Sequence, residues 1–304
     1  MANFKTFYKY VSNPEYFLDG FYIRASQLSA LNDPFEANYS DEGLTEYADL
    51  LEYNYEGFIE DIEKRKHEVG VICFTESKDN LLMWSHYADE HKGCVLGFVF
   101  DNKNSQLLEH FNYDPQNNYD GFFTPISYRK RPRYELDAFD SNLADSWSFE
   151  DTLLHEIFER KSDEWLYEKE HRTVLKLNQA DKVIVPIDHI SQRKERELIA
   201  IGAYKHCSIN LQKKVIEFLL EDMDENIRKE VADYLTYFSK NPEALYMFKV
   251  NKISLCSITL GAKCDEKKLR AHFYNHQSYK EHVRFYRTKL QSHSYSLFFE
   301  EIEF

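Results

Sequence analysis

Glycine and proline are scarce, nine and seven residues in a chain of 304. That scarcity excludes a collagen-like repeat and a linker-rich, low-complexity protein. No G-x-G-x-x-G and no G-x-x-x-x-G-K-[ST] is present, so the usual signatures of a dinucleotide-binding doubly wound sheet and of a P-loop are missing. The five cysteines, Cys73, Cys94, Cys207, Cys256 and Cys264, are odd in number, far apart and never in a C-x-x-C pair. This argues against a disulfide framework and against a structural zinc site. Positive charge is also in deficit: 38 Lys and Arg against 52 Asp and Glu give a formal charge of −14, which excludes a broad phosphate-binding face. Nowhere do 18 apolar residues run together, and the amino terminus has no basic stretch leading into an apolar run. A cytoplasmic protein with no membrane contact is therefore expected.

What the chain does have is apolar and aromatic mass, with 43% hydrophobic residues, 22 Tyr and 23 Phe. A packed core follows. Strand-length runs lie at Phe4 to Tyr10, Phe21 to Ala25, Val69 to Thr75 and Cys94 to Phe100, and Phe122 to Tyr128 adds another. Leu44 to Lys66 and Phe149 to Glu164 carry helical spacing, and Leu81 to Ala88 suits a short buried helix. From Trp165 the alternation predicts a strand running through Glu168, Glu170, Thr173, Leu175 and Leu177. Residues 191–250 are charged and carry repeats such as Leu211, Val215, Phe218, Leu219 and Ile227, Val231, Leu235, which predict a helical insertion or subdomain. The end of the chain reads as a strand at Ile253 to Leu260, a helix at Asp265 to His276, and strands at His282 to Leu290 and Tyr295 to Phe304.

Strands separated from helices in irregular order predict an α+β fold with a mixed, mostly antiparallel sheet core, flanking helices and a helical insertion. The expected organisation is a catalytic-type α+β core over 1–190, the helical insertion over 191–250, and C-terminal strands and helix over 251–304 that complete the core.

Four segments together resemble a bacterial family known as domain of unknown function 2971. They are Leu31-Asn32-Asp33-Pro34-Phe35-Glu36, Cys73-Phe74-Thr75-Glu76, Met83-Trp84-Ser85-His86-Tyr87-Ala88 with His91-Lys92-Gly93, and Trp165-x-Tyr167-Glu168-x-Glu170-x-Arg172. Tyr8-Lys9-Tyr10 and Leu260-Gly261 also fit. The resemblance implies a toxin or effector from bacterial phage-conflict gene neighbourhoods; it implies no reaction.

Chemistry has to come from the residues. Two carboxylates at i and i+2 of a strand, Glu168 and Glu170, face one side. One can orient a ribose hydroxyl while the other stabilises positive charge at an anomeric carbon. ADP-ribosyltransferases use that arrangement late in a small α+β fold, after an Arg or His on an early strand and a hydroxyl-bearing strand in the middle. The chain is similar in order, with Lys9, Tyr10 and Arg24 early, Cys73-Phe74-Thr75-Glu76-Ser77 in the middle and the glutamates after. It departs from that pattern in having no Arg or His in the first strand. The leading expectation is an NAD-using ADP-ribosyltransferase-like effector in antiviral defence, acting on nucleic acid or protein. Glu170 is its main catalytic group, Glu168 supports it, and His86 is a candidate general base. The candidate NAD pocket comprises Tyr10, Lys9, Arg24, Asn32, Asp33, Trp84, Lys92 and Arg172. Asn32-Asp33-Pro34 equally suits a self-capped turn, and Met83, Trp84 and Tyr87 equally suit a core.

Two other classes stay open. A metal-dependent nuclease would use Asp33, Glu36, Glu168 and Glu170 as Mg²⁺ ligands. A non-enzymatic ligand-sensing adaptor would use residues 191–250 to hold a protein partner. His272 and His276, at i and i+4, lack the glutamate of H-E-x-x-H, so no metal site is assigned. Arg129, Lys130, Arg131 and Arg133, flanked by Tyr128 and Tyr134, form the one concentrated basic run and are the candidate nucleic-acid contacts.

Overall fold

The computed structural model describes residues 4–40, 44–45, 54–101, 107–108, 123–130, 149–267, 269–270 and 282–303. The chain folds as α+β. Its strands are β1 Phe4–Val11, β2 Tyr22–Gln27, β3 Val69–Thr75, β4 Cys94–Asp101, β5 Thr124–Pro125, β6 Ser127–Arg129, β7 Arg160–Ser162 and β8 Glu170–Lys176. They continue with β9 Lys182–Pro186, β10 Cys207–Asn210, β11 Val215–Leu219, β12 Leu245–Lys249, β13 Leu255–Leu260, β14 Arg284–Leu290 and β15 Leu297–Glu301. The helices are α1 Glu15–Leu18, α2 Tyr55–Arg65, α3 Leu81–Tyr87, α4 Phe149–Phe158, α5 Gln192–Ala200 and α6 Glu225–Leu235.

Thirteen strands form one sheet in the order β10-β11-β9-β12-β2-β3-β1-β4-β13-β14-β15, with β8 on β3 and β5 on β8. Pairing is antiparallel except where β13 meets β14. A separate parallel pair joins β6 to β7. The centre of the sheet is forked. One edge of β3 is covered along its length by β8, from Val69 opposite Lys176 to Thr75 opposite Glu170. The other edge meets β2 only at Gly70 and Val71, and β1 only at Thr75. Beside residues 72–74, β1 and β2 therefore diverge, and a wedge opens between them.

The main core holds Phe7, Phe74, Phe98 and Leu175 on one side of the sheet, and continues through Val183, Phe218, Val231 and Tyr246. Residues 191–250 contain the expected helical repeats at α6, yet Val215, Phe218 and Leu219 lie on β11. This segment gives three strands, β10, β11 and β12, to the main sheet. Spacings of three and four fit a short β-hairpin as easily as one helical turn. The helix expected over Leu44 to Lys66 is seen as α2, opened by Asn54, whose side chain accepts from the Glu56 amide; residues 46–53 lie outside the described set. His272 and His276 also lie outside it.

The segment after Trp165 differs more. In place of one strand, Asp163–Glu168 is a 3-10 helix, Lys169 turns left-handed at φ 46°, and β8 starts at Glu170. A left-handed non-glycine residue is a strained conformation that surrounding contacts must hold. A second such turn, Asp89 to His91, follows α3. It ends at Gly93, where a Cβ would lie 2.2 Å from the Val11 carbonyl oxygen, so only glycine fits there.

Candidate functional site

The wedge is a cleft of about 560 Å³, within the usual size of ligand pockets. Its floor is an ion-pair network. Lys161 on β7 places Nζ 2.7 Å from Glu168 Oε2, 3.2 Å from Glu170 Oε2 and 4.0 Å from Glu36 Oε2. Arg172 on β8 donates to Glu170 through Nε at 2.6 Å and Nη2 at 3.2 Å, to the Phe158 carbonyl at 2.8 Å, and pairs with Glu36. Two cations thus hold three carboxylates, and all five side chains are buried. The kink at Lys169 lets both glutamates reach one ammonium although they do not share a strand. Thr75 fixes the kink by donating to the Glu168 carbonyl at 2.5 Å, and Tyr128 accepts from the Glu170 amide at 2.8 Å.

The two glutamates are electrostatically unlike. Burial raises the Glu168 carboxyl above the usual carboxylate range, against the pull of Lys161 and Tyr87. Burial acts the same way on Glu170 but is overcome by Arg172 and Lys161, which hold it down at about 2. Glu170 is therefore a fixed negative charge, and Glu168 is the one suited to exchange a proton. Burial disfavours the charge on Lys161, yet Glu170 and the other carboxylates keep it protonated. The Cys73 thiol, half-buried beside Glu170, is pushed up by desolvation to about 12 and is no nucleophile.

Two cations, Lys9 and Arg24, line the cleft from β1 and β2. Lys9 on β1 donates to the Cys73 carbonyl at 3.1 Å and sits 5.6 Å over the Phe74 ring. Arg24 on β2 donates to Gln27 Oε1 at 3.1 Å and to the carbonyls of Pro242 and Ala244 at 2.8 and 3.1 Å; its Nε is buried without a partner. Neither cation has a carboxylate partner among the described residues. Burial lowers the pKa of both groups, and on Lys9 the negative charge of Glu170 opposes that shift without forming an ion pair. The cleft is bipolar.

Of the residues expected in the site, Glu168, Glu170, Arg172, Lys9, Tyr10, Arg24, Asn32 and His86 all line the cleft. Tyr10 donates to the Ser77 carbonyl at 3.2 Å, and His86 is exposed. Three do not line it. Trp84 is fully buried with Tyr10, Met83, Ala88 and Val95, its Nε1 donating to the Lys78 carbonyl, so it is core; it is His91 that stacks on it, 5.9 Å away. Lys92 is exposed and paired with Asp89 and Glu90. Asp33 caps its own turn by accepting from the Phe35 amide at 2.9 Å. Arg129 and Lys130 are exposed, and Lys130 is 3.9 Å from Asp163; Arg131 and Arg133 lie outside the described residues. Neither Lys161 nor Tyr128 is among the residues expected in the site: the sequence places Tyr128 on the flank of the basic run, and Lys161 in a helix over Phe149 to Glu164 that ends instead at Phe158. Nothing in the alternation of their strands marks them, and the requirement that buried carboxylates be paired was the one available signal.

Asp33 caps its own turn and does not line the cleft, and Glu36, Glu168 and Glu170 are paired with Lys161 and Arg172. Among the described residues no group of three or more His, Cys, Asp or Glu is arranged to hold a metal ion. No helix among them is long and apolar enough to cross a membrane.

Residues 83–173 match the family described as Protein of unknown function (DUF2971), which supports membership of the chain in that family. The matched stretch contains Tyr87, Lys161, Glu168, Glu170 and Arg172. No curated protein and no solved structure matches the chain.

Proposed function

We propose that the cleft binds NAD and breaks its nicotinamide–ribose bond, passing the ADP-ribosyl group to a nucleophilic acceptor. The bipolar cleft carries this reading. Lys9 and Arg24, half-buried cations with no carboxylate ion-pair partner among the described residues, suit the pyrophosphate. The floor, with three carboxylates against two cations, suits the cationic nicotinamide riboside. The early and middle segments weighed for an ADP-ribosyltransferase lie on β1 and β3, and Glu170 opens β8; the three strands all contribute residues to the cleft, which supports the reading.

In this mechanism the C1′–N bond breaks and nicotinamide leaves with the electron pair. Glu170, permanently ionised, stabilises the positive charge at C1′. The acceptor heteroatom forms the new bond to C1′, and Glu168 takes its proton and passes it to solvent. Exposed Arg129 and Lys130, on and just beyond the strand whose Tyr128 holds Glu170, favour a polyanionic acceptor such as nucleic acid. An effector in phage conflict is the setting that the family resemblance implies. Exposed Ile199, Ile209, Leu211 and Tyr237 offer residues 191–250 a surface for a protein partner.

The test is nicotinamide release from NAD by purified protein, with nucleic acid and cell lysate as acceptors. Release is expected from the wild type, with a loss of on the order of a hundredfold in Glu168→Gln. No release in any mixture would overturn the reading.

A further inference from the structure

Helix α3 carries Tyr87 to the inner wall of the cleft. Its hydroxyl donates to Glu168 Oε1 at 2.6 Å and accepts from Asn32 Nδ2 at 3.2 Å. An amide nitrogen only donates and a carboxylate only accepts, so the chain has one polarity, from Asn32 through Tyr87 to Glu168. Each bond polarises the next. Asn32 is exposed on the loop at the rim, whereas Glu168 is 2% exposed on the floor. One phenol thus connects an exposed loop to the carboxylate that exchanges the proton.

We propose that Tyr87 is the positioning residue for Glu168, holding its carboxylate aimed into the cleft and ready to accept a proton, with Asn32 setting the strength of that hold. The role rests on the NAD-cleaving reading. The geometry singles out Tyr87 because it is the partner of Oε1, while Lys161 on β7 holds Oε2. Two anchors on two oxygens fix the plane of the carboxylate; with one gone, it can swing about Lys161. Glu170 on β8 is the other charge that acts on it, and Arg172 and buried Glu36 complete the same network through Glu170 and Lys161. The neighbouring phenols are Tyr128 on β6 and Tyr167 on its own turn. None of these donates to Oε1.

The Tyr87 hydrogen bond favours the ionised carboxylate, and burial opposes it. In Tyr87→Phe burial acts with less opposition, and Glu168 takes up its proton at higher pH. A base must be ionised to work, so the acidic limb of the pH–rate profile moves up with it.

The experiment is a carboxyl-carbon NMR titration of ¹³C-glutamate-labelled protein, run beside NAD turnover against pH, in wild type, Tyr87→Phe and Asn32→Ala. In Tyr87→Phe the Glu168 midpoint and the acidic limb are expected to rise together by about one to two pH units. Asn32→Ala, an exposed change, moves both by a smaller step in the same direction. Glu170 stays ionised throughout. A Glu168 midpoint unmoved in both variants overturns the positioning role, even if the wild type cleaves NAD. A midpoint that moves as expected, in a wild type that never releases nicotinamide, upholds the role of Tyr87 and overturns the NAD reading instead.

Discussion

Replacing Lys161 by methionine keeps the length and apolar stem of the side chain and removes one charge. Before the change two cations face Glu36, Glu168 and Glu170; afterwards Arg172 faces them alone. Breaking a buried ion pair by removing one partner costs about 3–5 kcal/mol, because the charge left behind stays desolvated. For a chain of this size that lowers the melting temperature by roughly 5–10 °C. The pH dependence is more diagnostic. In the wild type, Glu170, held at about 2, contributes stability that is present above the unfolded carboxylate value of about 4.3 and lost as pH falls through 2. Glu168 is already raised by burial, and without Lys161 it is raised further. The folded variant then binds a proton that the unfolded chain has released, so its stability falls as pH rises through that window. Urea unfolding at pH 5 and pH 8 reads this directly. The stability deficit of the variant should be larger at pH 8. A variant within about 0.5 kcal/mol of wild type at both values would refute the claim that Lys161 neutralises the floor.

Two further changes test the surroundings of the site. Gly93→Ala drives a Cβ against the Val11 carbonyl and should cost more than about 2 kcal/mol in urea unfolding, since backbone and not a side-chain tip has to move. Trp84→Phe should lower stability by about 1–3 kcal/mol and leave NAD affinity unchanged, because the indole is core; a variant of wild-type stability that loses NAD binding would return Trp84 to the cleft.

Much of the framework was legible because β-branched and aromatic runs of strand length announce themselves: Val69–Thr75 was read to the residue, and β1, β2 and β4 to within about two residues. The convergence of Glu168 with Glu170 was also legible, though for the wrong geometrical reason. A two-residue period predicts a shared face, whereas the chain achieves it through a left-handed Lys169, a conformation that no lysine advertises. Lys161 was invisible because a cation matched to carboxylates by tertiary pairing looks like any surface lysine. Trp84 and Lys92 were misplaced by proximity in sequence to Tyr87. On α3, Met83, His86 and Tyr87 line the cleft while Trp84, the residue after Met83, points into the core, and Lys92 lies past a left-handed turn that carries it away.

The most direct test of the bipolar cleft is a calorimetric titration of NAD into the wild type and into Lys9→Met. The wild type should bind one NAD per chain, and Lys9→Met should bind at least about tenfold more weakly, the loss expected when a charged donor to phosphate is removed. NAD that gives no binding to the wild type, or binds Lys9→Met equally well, would contradict the assignment of Lys9 and Arg24 to the pyrophosphate.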